Sequence, residues 1–300
     1  FFRNDTGNQL FSVPLTDDSG FGNITSNVGE IRNQGIEIEL NTVNLDISGF
    51  KWTSSFNITF LENEVLSLPN DQDTIGTSLI VGQPVNFLWG VDYAGVNPAN
   101  GRPMWINRAG EYIYGGASVN DGYILGSQIP TTFGGFANTF SYKGLALDVM
   151  FQYQLGADAF NSDLYNLAYS GSTSDNQLRS ELDRWQQPGD VTNVPIAYEG
   201  GSVGGFDTQF PGQGNGRYVS DASYIRLKQI SLSYNLPQTV LDVIKMKSVR
   251  VFANATNLVT WTNYTGVDPE VVLNNNQTGA SAYGVYPVGK QFTAGINVKF

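Results

Sequence analysis

The sequence predicts an all-β fold, an antiparallel transmembrane β-barrel wall with long extracellular loops. Three observations predict it. Runs of about ten residues alternate apolar and polar side chains, and successive strand residues point to opposite faces, so each run has one oily and one wet side. The connections between runs are alternately very short and very long, as in outer-membrane barrels. No apolar stretch approaches the ~20 residues of a membrane-spanning helix, whereas barrels cross with alternating segments of this kind.

The expected strands follow in chain order. In "GIEIEL", Ile36, Ile38 and Leu40 alternate with Glu37 and Glu39; "FKWTSSFNITF" sets Phe50, Trp52, Phe56, Ile58 and Phe60 against Lys51, Thr53, Ser55, Asn57 and Thr59. "VNFLWGVDY" repeats the pattern from Val85 to Tyr93 with Leu88 intruding, and a weaker run spans about Pro103 to Ile113. "TTFGGFANTFSY" alternates only from Phe136, with Asn138 out of place and Gly134 and Gly135 read as a bulge. "LALDVMFQYQL" gives six apolar positions from Leu145 to Leu155. In "SYIRLKQISLSYNLP" the parity changes between Leu227 and Ile230, which either a bulge near Gln229 or a first half standing above the hydrocarbon layer explains. "VRVFANATNLVTW" and "KQFTAGINVKF" complete nine strands, with a stub at Phe1. Turns are expected around Gly49 and Gly144, long loops over 157–221 and 262–289, and one short helix in "SDNQLRSELDRWQQPG", capped at Ser174 or Asp175 and stopped at Pro188-Gly189. A spanning sheet must close on itself and single-chain barrels have even strand numbers, so nine strands are expected to be part of a larger barrel.

Composition narrows the function. The 300 residues include no cysteine and no histidine, which excludes disulfides, imidazole or thiolate metal sites and Ser-His-Asp triads. Sixteen basic against 27 acidic residues give a net charge of -11, which disfavours nucleic acid as a partner. No cofactor is expected. Asp17 with Asp18, and Asn70 to Asp73, offer oxygen ligands for calcium but match no EF-hand loop, and acidic turns are the better reading. "PGQGNGR", 211–217, lacks phosphate-loop spacing and reads as a loop.

Several separate segments in order carry a resemblance. "GNQLFSVPL", "SNVGEIRNQGIEIEL", "LGSQIPTTFGGFANTFSYKGLALDVMFQYQLG", "RWQQPGDVT", "SDASYIRLKQISLSYNLP", "ANATNLVTWTNYTGVDPEV" and "YPVGKQFTAGINVKF" resemble the C-terminal part of the barrel in the SusC/RagA family of TonB-dependent outer-membrane transporters. The resemblance spans residues 1–300 as one barrel segment and implies a 22-stranded barrel, with some 13 strands, the plug, the TonB box and the signal peptide outside these residues. It further implies a non-enzymatic importer in the outer membrane of a Gram-negative bacterium. Its cargo would be an oligosaccharide or a peptide, its partners a SusD-like surface lipoprotein and the TonB complex, and two barrels, each with its lid, would pair. A passive porin or a soluble β-sandwich carbohydrate-binding protein is the alternative.

Phe292, Ile296, Val298 and Phe300 are, by the same resemblance, the barrel-assembly signal of a closing strand. Loop aromatics Tyr165, Tyr169, Trp185, Tyr198 and Tyr218 are candidates for stacking on sugar or packing beneath a lid, with packing inside the loops the better default. Trp52, Trp89, Tyr93 and Trp261 are assigned to interfacial girdles.

Overall fold

A computed structural model describes residues 1–8, 10–14, 23–27, 29–69, 72–76, 79–114, 121–168, 170–171, 175–203, 206–207, 215–273 and 284–300. Eight strands make its main sheet: β1 (Phe2–Gly7), β2 (Glu30–Ile47), β3 (Phe50–Ser67), β4 (Thr132–Tyr142), β5 (Leu145–Leu155), β6 (Tyr224–Asn235), β7 (Ser248–Thr262) and β8 (Gln291–Lys299). Each pairs antiparallel with its neighbours in that order. The register carries the alternation from β2 to β8. Phe56, Phe136 and Phe151 lie side by side on one face, as do Leu147, Leu232, Ala253 and Ala294. On the other face Thr139, Asp148, Ser231, Asn254 and Thr293 form a polar row. A one-residue slip anywhere would carry a strand's apolar set to the wet side, so the pattern itself pins the register.

The apolar face is not covered by other described residues. Leu40, Ile296 and Phe292 keep 55%, 64% and 76% of their surface exposed.

Short and long connections alternate as the sequence predicts. Two-residue hairpins join β2 to β3 and β4 to β5, with positive φ at Ser48 and Gly49 and at Lys143 and Gly144, the backbone that matches strand twist in a tight hairpin. Among the described residues, three short helices lie in the β5–β6, β6–β7 and β7–β8 connections: α1 (Ser162–Leu167), α2 (Gln238–Ile244) and α3 (Pro269–Leu273). Asn161 caps α1 by accepting the Leu164 N–H, and α2 sits at the same end of the sheet as the two hairpins.

Five expectations need correction. The runs Val85–Tyr93 and Pro103–Ile113 are not wall strands. They break into strands of two to five residues in the β3–β4 connection, where Phe87–Gly90 pairs with Tyr123–Ser127 and Asp92–Val96 with Pro103–Ile106. There both faces are packed: Leu88 and Trp105 are buried, so the intruding Leu88 marked two-sided burial. The stub at Phe1 is instead a wall strand paired with β2, making eight rather than nine. Trp89 and Tyr93 therefore sit in a long connection and not in a girdle, while Trp52 and Trp261 lie on the apolar face of the wall.

No bulge occurs at Gly134 and Gly135, whose register to both neighbours is unbroken. A Cβ on Gly134 would collide with the Asn57 carbonyl and the Tyr153 hydroxyl, so the glycine instead makes room for the Tyr153 ring, whose Oη donates to Asn57 O at 2.8 Å. Asn138 faces the apolar side and is satisfied there: its Oδ1 accepts from Trp52 Nε1 at 2.9 Å and Ser54 Oγ at 2.6 Å. The parity change in β6 is a bulge at Lys228, the residue inserted between the Phe151–Leu227 and Met150–Gln229 pairs, which returns Ile225 and Leu227 to the apolar face. Finally, the expected helix shrinks to a 3-10 turn at Arg179–Asp183, and its expected cap Ser174 lies outside the described residues. Trp185 is drawn instead into an extended arm, where its N–H donates to Val194 O.

Candidate functional site

Two assemblies stand at the long-loop end of the wall. The first joins three segments far apart in sequence: the 92–106 hairpin, the arm 185–196 and the 3-10 turn Gly216–Tyr218. The hairpin and arm are sewn together by Ile196 N–H to Gly101 O, Trp185 Nε1 to Pro98 O at 2.9 Å and Tyr93 Oη to Asn193 O at 2.8 Å. Gly101 is required by the contact, since a Cβ there would lie 2.5 Å from the Trp185 ring and its φ is +74°. Asn215 ties the turn to the hairpin, accepting from Trp105 Nε1 at 3.1 Å while capping the turn through Arg217 N–H.

Arg217 occupies the centre of this junction. Its guanidinium lies over the rings of Tyr93 (5.6 Å) and Tyr218 (5.4 Å), and Nη2 reaches Glu181 Oε1 at 3.3 Å. Burial pushes the Tyr93 phenol far above its ordinary value, the Arg217 charge opposing. A cavity of about 420 Å³ opens beside it, lined by Tyr93, Ala94, Gly95, Asn193, Val194 and Arg217.

The second assembly pins the β7–β8 connection to the polar face of the wall. Arg226, 2% exposed, bonds Asp268 at 2.6 Å and Glu270 at 2.8 Å, and Lys228 bonds the other Glu270 oxygen at 2.7 Å. Asp268 also accepts the backbone N–H groups of Glu270 and Val288, which bends the loop around one carboxylate. The bulge has a purpose here: the inserted Lys228 is re-aimed so that it shares Glu270 with Arg226. Below the ion pairs, Tyr264 and Val272 pack on Ala159 and Ala222, and burial raises the Tyr264 phenol to about 12.

The expected loop aromatics fall on either side of this arrangement. Tyr218 (1% exposed) and Trp185 (7%) are buried, and Tyr165 stacks edge-on against Tyr218 and beside Phe160, so these three pack within the loops. Tyr198 is exposed, and Tyr169 lies outside the described residues. Asp17, Asp18, Asn70 and Asp71 also lie outside them. Phe292, Ile296, Val298 and Phe300 are all exposed at the β8 edge of the sheet.

Sequence reasoning missed Arg217, Asn193 and the Arg226–Asp268 pairing. A signal for the last existed: "RLK" in a strand and "DPE" in a loop place two cations and two acids at the same spacing, but nothing local says that they meet.

No protein-family model matches the chain. The TonB-dependent receptor P3 of Formosa agariphila is 29% identical to it, over 100% of this chain and 32% of the relative. The TonB-dependent receptor SusC of Bacteroides thetaiotaomicron is 26% identical, over 100% and 29%. The solved structure of the RagAB peptide transporter superimposes with a TM-score of 0.81 at 27% identity, over 99% of this chain and 32% of that one. The RagAB peptide importer in its closed-closed state gives 0.81 at 26% identity. The chain thus spans 29 to 32% of the length of these curated relatives, which are named as TonB-dependent receptors. Alternating wall, alternating connection lengths and end-to-end similarity to receptors and transporters agree, and the chain is similar along its whole length to part of TonB-dependent receptors of the SusC and RagA kind.

Proposed function

We propose that this chain supplies barrel wall and extracellular loops to an outer-membrane, TonB-dependent importer of a large nutrient, an oligosaccharide or a peptide, that works with a SusD-like surface lipoprotein. One observation carries the reading: from β2 to β8 the sheet holds an exposed apolar band on one face and polar residues on the other, with every long connection at the same end. The apolar face meets lipid, the polar face lines a lumen, and the two edge strands, β1 and β8, pair with strands of the rest of the barrel, because lipid does not tolerate an open sheet edge. Phe300 and the exposed residues before it act as the assembly signal. The work of this chain is enclosure and recognition, with no covalent step.

Extraction of native membranes in mild detergent, followed by intact mass measurement of the chain and everything that co-purifies, tests the proposal. A chain far heavier than 32.7 kDa arriving with a lipoprotein of comparable abundance supports it. A heavy chain without lipoprotein points to a passive porin. A 32.7 kDa species that leaves the membrane fraction without detergent makes the β-sandwich reading the right one.

A further inference from the structure

We propose that the cavity at the three-loop junction is a subsite for a single carboxylate, with Arg217 as its anion-binding group and Asn193 as its second donor. The proposal rests on the reading of these loops as the cargo-facing end of an importer and narrows the cargo to one that carries a carboxyl group.

The argument begins with how Arg217 is held. A guanidinium has five N–H groups in a planar fork. Among the described residues its guanidinium makes two hydrogen bonds, both long: Nη2 to Glu181 Oε1 at 3.3 Å and Nη1 to the Tyr218 hydroxyl at 3.3 Å. Tyr93 and Tyr218 take the faces of the group, and a cation–π contact uses no N–H. The fork is therefore fixed in orientation while three of its donors remain, and it lines a cavity of about 420 Å³, within the usual range for small-ligand sites. Across the opening stands Asn193, an exposed residue whose backbone carbonyl is held by Tyr93 and whose side-chain amide bonds nothing among the described residues. Gly95 supplies the floor, and a Cβ there would stand 3.6 Å from Asn193 Oδ1, narrowing the opening.

Charge selects the ligand class. Glu181 already offsets most of the Arg217 charge, so a dianion such as a phosphate monoester meets a nearly neutral site inside a chain of net charge -11. A planar monoanion with two oxygens suits a fork that still has parallel N–H groups, and it shares the guanidinium with Glu181. A uronic acid of an oligosaccharide and the free C-terminus of a peptide both present this group.

Isothermal titration of the full-length protein, purified from native membranes with whatever lipoprotein accompanies it, decides the matter. The probes are trigalacturonic acid and its methyl ester, and trialanine and its C-terminal amide. At least one free acid is expected to bind tenfold or more tightly than its own ester or amide; which one does so identifies the source of the carboxylate. Arg217→Lys is expected to weaken that binding about tenfold and Asn193→Ala about threefold. Should Arg217→Lys fail to fold because Glu181 is left poorly paired, Asn193→Ala, an exposed substitution, carries the test alone. Ester and amide binding as well as the acids, no binding by any probe, or variants that leave acid binding unchanged would each overturn the subsite. Uptake by whole cells separates this from the importer reading: acid binding without energised uptake sinks the importer and leaves the site, whereas energised uptake indifferent to both variants does the reverse.

Discussion

The wall and the loop assembly above it are stabilised in opposite ways. In the wall each strand meets its chain neighbour through a continuous ladder, and the apolar residues stay exposed because their partner is the surrounding medium. In the loops the apolar residues are buried in small clusters whose members come from distant segments: Leu88, Phe160, Ala168 and Tyr218 form one, Val91 and Trp105 another. Their hydrogen bonds span comparable distances, as from Trp105 to Asn215 and from Tyr93 to Asn193. A wall strand is specified by its own ten residues. A loop cluster is specified only when all its segments arrive together, so the loops depend on single irreplaceable contacts and the wall on a repeated one.

The sharpest test of that difference is the ion-pair cluster where the two regions meet. Arg226→Ala leaves Asp268 buried without its cation, and breaking one side of such a pair costs about 3–5 kcal/mol. The cost should fall on the loop: amide exchange at Val272 and Val288 should quicken by orders of magnitude while β6 and β7 exchange as before. Equal loosening of the strands would show that loop and wall form one cooperative unit, and the distinction between them would fail.

A somewhat smaller effect is expected from a charge on the wall itself. Leu232 stands on the apolar face between Leu147 and Ala253, and Leu232→Arg should cost about 2–4 kcal/mol if that face meets the middle of a bilayer. Urea unfolding in lipid vesicles measures it. The same substitution at Gln154, one strand over on the polar face, should change little. If the two cost the same, the assignment of faces is wrong.

This contrast also explains what could be read from the sequence. Period-two alternation located seven of the wall strands, and glycines with their neighbours located both tight hairpins, because these signals are local. Residues 85–93 misled for the same reason: five alternating positions look like a wall strand, and only the partner strand Tyr123–Ser127 and the loop around it decide otherwise. The Lys228 bulge was legible as a broken parity but not as a device for aiming a cation, since its purpose lies 42 residues away at Glu270. Arg217 gave no signal at all. Its rings, its acid and its cavity come from three separate segments of two connections, and no window of sequence holds them together.

The smallest expected effect concerns a carboxylate inside the loop assembly, where one contact again depends on several segments. Asp158 pairs with Asp221 across a short ladder, and its Oδ2 accepts the Ser127 N–H at 3.4 Å. Burial raises its carboxyl above the ordinary value, the Ser127 N–H pulls it down, and the Asp221 charge raises it further. Because the folded-state value lies above the unfolded one, the protonated form favours the fold. The stabilisation is fully present below the unfolded value near 3.8 and is lost as pH rises through the raised folded value. Asp158→Asn removes the charge while keeping an acceptor for Ser127, so the loops should gain stability at pH 7, by less than about 1 kcal/mol given the group's partial exposure to solvent. The variant should also lose the pH dependence over that window. Amide exchange at Ser127 and Asp221 at pH 4 and pH 7 measures both quantities. A variant less stable than the parent at pH 7 would mean that the Ser127 hydrogen bond outweighs burial and the facing aspartate, and that this loop junction, unlike the wall, is held by a side-chain contact.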